Sequence, residues 1–320
     1  MMDRQAVIAV GGNALILDGQ RGTIEEQSEN ARATVQHIAG LVVAGWKVVI
    51  THGNGPQVGF ILLRSELAGD SAPVPRLPLD MCVADSQGGI GHLLASSLDG
   101  ELGRRGLRDR AACVLTHTVV ARDDPAFQSP SKPIGPWYSA DQAAAKRRRE
   151  GWTMVEDAGR GYRRAVPSPR PLRIVEVRQI RTLLEAGFVV IAVGGGGIPV
   201  VEREPGVYQG IEAVIDKDRA SALLAAALEI PLLVISTGVD KVAVHFRRPD
   251  QRFLDRVTVS EARRYLEAGE FPPGSMGPKI QAAITFLESG GGEVVITSPS
   301  RLVEAVAGTT GTRIVPDDSA

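Results

Sequence analysis

The sequence predicts an α/β protein built on an open, mainly parallel sheet. Three apolar runs, at residues 6–10, 48–51 and 189–193, each end on glycine: Gly11-Gly12-Asn13, His52-Gly53-Asn54-Gly55 and Gly194-Gly195-Gly196-Gly197. Short β-branched runs of this kind read as strands buried on both faces. Helix-length stretches alternate with them, the pattern of parallel strands joined by crossover helices. One unit is also used twice: LVVAGWKVVITHGNG and LLEAGFVVIAVGGGG share a helix end, Ala-Gly, an aromatic or apolar strand and a glycine tip. Glycine at a strand tip lets backbone N–H groups approach an anion closely. Three tips together suggest one phosphate-handling edge.

The elements follow in order. After the first tip, Thr23 with Glu26 three residues on forms a capping box, opening a helix through Val43. Residues 47–51 return as a strand, and a helix over 57–67 starts just after Pro56. Residues 70–78 are Pro-rich and read as a connection. Residues 83–103 carry helical periodicity despite Gly88, Gly89 and Gly91. Glycines weaken a helix, so close packing against a neighbouring helix or a partner subunit is expected there. Residues 111–120 read as one strand. Residues 122–171 break the rhythm, being rich in Pro, Gly, Arg and Ser, with one helical piece at 140–149. This stretch is too long for a simple connection and reads as either a flap or a small subdomain, placed over the active edge. Trp137, Tyr138, Trp152 and Tyr162 are expected to form its small core. The regular pattern then resumes: a helix over 174–185, a strand over 188–193, a helix over 219–228 and a strand over 231–236. A helix over 257–268 capped by Ser260, a helix over 280–288, a strand over 293–297, a short helix over 302–307 and a last strand over 312–315 complete it.

Composition limits the function classes. The chain has 320 residues, 43% apolar but only 4% aromatic, so Val, Ile, Leu and Ala fill its core. Lys plus Arg number 36 and Asp plus Glu 37, which leaves no long-range field for nucleic acid or an anionic membrane. Cys82 and Cys113 lie in apolar contexts and read as buried thiols of a reducing compartment. The five histidines show no metal-ligand spacing, so no metal held by protein side chains is expected. No leader and no bilayer-length apolar run is recognised, and the reading is a cytoplasmic protein.

Lysine is scarce, and three of the six sit in loops dense with Gly, Pro or Asp. Lys132 lies in SKPIGP, Lys217 between Asp216 and Asp218, and Lys279 at the end of GSMGPK, where a helix starts. A lysine at a helix N-terminus is unfavourable unless an anion is near. That local conflict points to a site. No Walker-type loop, G-x-G-x-x-G after the first strand, protein-kinase loop or G-x-S-x-G elbow occurs.

The set GGNAL at 11–15, HGNGPQVG at 52–59, Ser86-Gln87-Gly88, KPIGP at 132–136, VPSP at 166–169, the 194–199 turn, Asp216-Lys217-Asp218 and GSMGPK at 274–279 resembles the carbamate kinases of the amino acid kinase superfamily. The resemblance runs from first strand to last, and KPIGP separates carbamate kinases from acetylglutamate, glutamate and aspartate kinases. It implies a three-layer αβα sandwich around an open, mainly parallel sheet with a small protruding subdomain. Residues 1–320 then form a single domain, with 122–171 the inserted subdomain, roughly 1–215 the carbamate lobe and roughly 216–320 the nucleotide lobe. It implies that Gly11, Gly12, Asn13, Gly53, Asn54, Gly195 and Gly196 hold the phosphoryl and carbamate end. Lys217 and Lys279 neutralise the phosphoryl groups, Asp218 orients the lysines and Lys132 closes over from the subdomain. Thr237, Asp240, Met276 and Gly277 face the nucleotide, Mg2+ arrives on ATP or ADP, and the protein is a homodimer. The implied reaction is ATP + carbamate = ADP + carbamoyl phosphate, run toward ATP in nitrogen or arginine catabolism. A kinase of an amino-acid carboxylate on the same fold, and a carbamoyl-phosphate or nucleotide sensor without turnover, are the alternatives.

Overall fold

A computed structural model of the chain describes residues 4–11, 15–17, 19–157, 161–272 and 274–317. The expected roles of Gly12 and Asn13 therefore lie outside the described residues.

Among the described residues, the main sheet has eight strands. In chain order they are β1 (Gln5–Val10), β2 (Lys47–His52), β3 (Ala111–Cys113), β9 (Val189–Ile191), β12 (Leu232–Ser236), β15 (Arg256–Thr258), β16 (Glu293–Thr297) and β17 (Thr312–Val315). Their spatial order is β15-β17-β16-β12-β1-β2-β9-β3, and only the β16–β17 pair is antiparallel. Successive residues of β1 serve opposite faces: Ala6, Ile8 and Val10 join one apolar cluster and Val7 the other. One face is covered by α1 (Ile24–Val43), α3 (Leu79–Arg104) and α9 (Leu302–Val306). The other is covered by α5 (Val177–Glu185), α6 (Lys217–Leu228), α7 (Val259–Glu267) and α8 (Met276–Glu288). Aliphatic side chains fill both clusters, as the low aromatic content requires. The result is a three-layer αβα sandwich.

A second sheet, β11-β10-β4-β8, joins β4 (His117–Val120), β8 (Pro171–Ile174), β10 (Ile198–Glu204) and β11 (Val207–Gly210). It packs with α2 (Gly55–Ser71) and the start of α3 around Val58, Val83, Val119 and Val200. The third sheet, β5-β7-β6, is antiparallel and comprises β5 (Lys132–Tyr138), β6 (Met154–Glu156) and β7 (Tyr162–Val166). With α4 (Ala140–Glu150) it makes up most of the 122–171 segment. A two-stranded ribbon joins β13 (Ala243–Val244) to β14 (Arg252–Phe253).

Several local expectations change. Residues 111–120 are two strands in different sheets, because Gln87 grips the Thr116 backbone at both N–H and C=O and turns the chain there. The 174–185 helix begins only at Val177, since Pro171–Ile174 pairs with β4. The β10–β11 hairpin has no counterpart in the sequence reading. Thr258, not Ser260, caps α7, in a capping box with Glu261, while Ser260 bonds Asp317. The Thr23–Glu26 box opens α1 as expected. Cys82 is buried, but Cys113 is exposed on the edge strand. Its Sγ lies where a Cβ on Gly91 would be, at 2.4 Å, which explains that glycine. A Cβ on Gly88 or Gly89 meets nothing within 4 Å, so packing within the chain does not account for them.

Of the four aromatic residues expected to form the core of the 122–171 segment, Tyr138 and Trp152 pack edge-to-face at 6.3 Å, and all four rings are half-buried. Ala143, Met154 and Ala165 are buried within this segment, while Ile134 and Val166 join the cluster of the second sheet. The rings also receive cations: Lys146 and Arg164 lie 4.5 and 4.4 Å from the Trp152 ring centre, and Arg163 lies 4.8 Å from that of Trp137. Partly exposed cation–π contacts of this kind contribute on the order of 0.5–1 kcal/mol each.

Candidate active site

Strands β16, β12, β1, β2 and β9 run parallel side by side, so their carboxyl ends share one edge. Ligands of open α/β sheets bind outside that edge. Gly11, Gly53 and the 194–197 turn follow β1, β2 and β9 there, and Thr237 and Ser298 follow β12 and β16.

The glycine turn is built under constraint. Val193 adopts φ 53, and Gly195, Gly196 and Gly197 adopt φ 64, 93 and 90. The Val193 N–H donates to Thr116 Oγ1 at 3.0 Å, and Thr116 is in turn gripped by Gln87. Thr118 Oγ1 donates to the Gly196 carbonyl at 2.8 Å. No side chain fits on the turn: a Cβ would come within 2.4 Å of His52 at Gly194, 2.1 Å of Asn54 at Gly195 and 2.6 Å of the Ile215 carbonyl at Gly196. Burial pushes the imidazole of His52 down to about 4, so this wall of the turn is neutral.

Ile215 leads into the charged cluster. Asp216 caps α6, its Oδ1 accepting from the N–H groups of Asp218 and Arg219 at 3.0 and 3.2 Å. Its Oδ2 accepts from Lys132 Nζ at 2.6 Å. Lys217 donates to Asp218 Oδ1, and Lys279 Nζ donates to Asp218 Oδ2 at 3.0 Å. Three ammonium groups thus meet two carboxylates where α6 and α8 begin, and both helix N-termini add positive potential. Burial opposes ionisation of Asp216, but the ammonium of Lys132, then those of Lys217 and Lys279, outweigh it and hold the carboxyl well below its usual range. Asp218 is likewise lowered, with Lys217 and Lys279 overcoming burial. Burial lowers Lys217 against the pull of Asp218, whereas at Lys279 burial is outweighed by the attraction and hydrogen bond of Asp218 together with the attraction of Asp216, and the ammonium is raised. The Lys279 conflict visible in the sequence is relieved by a residue 61 positions away.

Lys132 reaches this cluster because the third sheet is fixed in two places. Gly135, at φ 74, lies against Gly59 of α2, where a Cβ would come 2.1 Å from the Gly135 Cα. Arg164 bridges to Glu66 of α2 at 2.7 Å. Lys132 pairs with Val166 in the sheet, and the Val214 N–H donates to Pro167 at 2.9 Å just before Asp216.

Thr237 and Asp240 lie apart from the lysines, toward β16. The Thr237 N–H donates to the Thr297 carbonyl at 2.8 Å, and Asp240 accepts from Ser298 Oγ. Met276 and Gly277 open α8, and the Gly277 N–H donates to Pro272 at 3.0 Å. Among the described residues no group of three or more His, Cys, Asp or Glu is placed to hold a metal.

A model of the amino acid kinase family matches residues 4–298. The chain belongs to the amino acid kinase family. Carbamate kinases and proteins named after them are among its full-length relatives. Carbamate kinase of Thermococcus kodakarensis is 48% identical over 98% of this chain and 99% of its own. The carbamate kinase-like protein YahI of Escherichia coli is 48% identical over the same shares. The solved carbamate kinase of Giardia lamblia bound to citric acid superposes with a TM-score of 0.93 at 39% identity, covering 99% of each chain. The same enzyme has been solved bound to AMP-PNP, with a TM-score of 0.88 at 40% identity over 99% of each chain.

Sequence reasoning singled out the three lysines and Asp218, which the fold brings together. It missed Asp216 as a site residue, although that acid stands beside Lys217, and gave no task to Ser86, Gln87, Thr116 or Thr118. The first two were visible only as a Ser-Gln-Gly motif. The two threonines carried no signal beyond lying in an apolar run.

Proposed function

We propose that this amino acid kinase is a carbamate kinase, transferring a phosphoryl group reversibly between ATP and carbamate. The observation that carries the reading is the meeting of Lys132, Lys217 and Lys279 around Asp216 and Asp218, close to a buried glycine turn that admits no side chain. Full-length relatives named carbamate kinase support it.

A carboxylate-type oxygen of carbamate attacks the γ-phosphorus, the bond to the bridging oxygen breaks, and ADP leaves with that electron pair. Carbamate is already an anion, so no proton is removed and no general base is needed. Asp216 and Asp218 are engaged by ammonium groups and serve to aim them. The difficulty is repulsion between two anions, and Lys132, Lys217, Lys279 and the backbone N–H groups at Gly11 and Gly195 offset it as charge spreads in the transition state, while Gly53 and Gly196 give their N–H groups to Val10 and Val193 and shape the pocket. Asn54 borders the acceptor side. The nucleotide lies toward Thr237, Asp240, Met276 and Gly277, so that residues 1–215 present the acceptor and 216–320 the nucleotide, with 122–171 carrying Lys132 over both. Mg2+ comes with the nucleotide, held by phosphate oxygens and water, as that ion commonly is.

The proposed state is a cytoplasmic homodimer. No described helix is long and apolar enough to cross a membrane. The edge strand β3, exposed Cys113 and Leu115, and the bare helix face at Gly88 and Gly89 favour a partner on that side. Sedimentation should give twice the chain mass. The activity test is ATP formation from ADP and carbamoyl phosphate, set beside ATP-dependent phosphorylation of acetylglutamate, glutamate and aspartate. Turnover with carbamoyl phosphate alone is expected; turnover with an amino acid, or binding without turnover, refutes the assignment.

A further inference from the structure

We propose that the side-chain oxygen of Asn54 reads the amino group of the carbamoyl substrate, and that Ser86 sets this by holding the amide in one orientation. The inference rests on the carbamate reading above.

Asn is a favoured helix N-cap, and Asn54 occupies the N-cap of α2, yet its side chain makes no capping bond. Instead Nδ2 donates to Ser86 Oγ at 2.8 Å. The Ser86 hydroxyl directs its one proton to the Val83 carbonyl at 2.7 Å, so it meets Asn54 as an acceptor and selects the NH2 end of the amide. Oδ1 is turned the other way. Asn54 is only 2% exposed, and no described residue donates to its Oδ1. An amide oxygen that no protein group uses is free to accept from a ligand N–H.

The amide stands where such a ligand belongs. It lies against Gly195, where a Cβ would be 2.1 Å from Nδ2 and 2.8 Å from Oδ1. The next residue, Gly196, touches the Ile215 carbonyl, one residue before Asp216 and the lysines. Lysine and backbone N–H groups are all donors and can satisfy only the oxygens of carbamate. Its NH2 needs an acceptor, and both carboxylates of the cluster already hold ammonium groups. Among the described residues, Asn54 Oδ1 is a neutral acceptor beside the glycine turn with no donor of its own. Acetate has carbamate's shape and charge but a methyl in place of the amine. A site that hydrogen-bonds a donor discriminates strongly against an analogue lacking it.

The experiment compares kcat/KM for ATP formation from ADP with carbamoyl phosphate and with acetyl phosphate, in the unsubstituted protein, Ser86→Ala and Asn54→Leu, with melting curves alongside. Carbamoyl phosphate should be preferred by the unsubstituted protein. Ser86→Ala frees the amide to turn and should narrow that preference by about 10-fold, mainly through KM for carbamoyl phosphate, with KM for ADP unchanged. Asn54→Leu should narrow it further. Equal losses with both phosphates, or an unchanged ratio, overturn the role of Asn54 while leaving the carbamate reading intact. An unsubstituted protein that does not use carbamoyl phosphate overturns the carbamate reading and this inference with it. Should Asn54→Leu fail to fold, the Ser86→Ala ratio decides by itself.

Discussion

Lys132 and Asp216 lie 84 residues apart in the chain and 2.6 Å apart at the site. The pair joins the inserted sheet to the N-cap of α6. It is therefore both a contact between two parts of the fold and the means by which a third ammonium group reaches the other two.

Lys132→Ala removes that ammonium and leaves Asp216 its two backbone donors on α6. Turnover of carbamoyl phosphate and ADP should fall by about 100-fold or more, the usual loss for a group that stabilises transition-state charge. The melting temperature should hardly change. A large drop in melting temperature with turnover retained would make Lys132 a structural tie.

Asp218→Asn leaves Lys217 and Lys279 close together without the carboxylate that separates them. Breaking a buried ion pair in this way costs about 3 kcal/mol. Urea denaturation should show that loss, and inorganic phosphate should restore part of it by supplying an anion to the two ammonium groups. Stability equal to that of the unsubstituted protein would mean the lysines are not held by Asp218.

Acid should weaken the fold in two stages. His52 has a folded pKa of about 4 against an ordinary 6.5, because burial disfavours the charged ring. Between those values the unfolded chain binds a proton that the folded chain does not, so stability falls as pH drops from 6.5 to 4. The full effect is roughly 3 kcal/mol. Asp216 and Asp218 are lowered carboxylates, so their contribution is present above the ordinary value of 3.8 and is lost as pH falls below it. Melts at pH 7 and pH 4.5 should show a smaller difference for His52→Gln than for the unsubstituted protein. Identical differences would remove His52 as the cause.

Gly195→Ala places a methyl group 2.1 Å from Asn54 Nδ2 on backbone at φ 64. It should lower stability by about 2 kcal/mol and abolish turnover. Gly103→Ala, on α3 with nothing within 4 Å, is the control, and should stabilise by about 0.5–1 kcal/mol with activity unchanged. Thermal melts and the ATP-formation assay read both. A harmless Gly195→Ala would show that the turn yields.

The sequence by itself determined the alternation of strands with helices and the strand-tip glycines, because both are local: a five-residue β-branched run and a glycine pair read the same wherever they lie. It also marked Lys132, Lys217 and Lys279, since each sits in a context that a surface lysine has no need of. The split of residues 111–120, the late start of α5 and the hairpin of β10 with β11 depended on partners far away in the chain, and no periodicity records them. Only the tertiary structure decided that two aspartates gather the three lysines. It alone turned the Asn54 amide onto Ser86 and set Gly135 against Gly59. These are contacts between backbones and side chains from separate elements, and their distances are fixed by how the sheets pack.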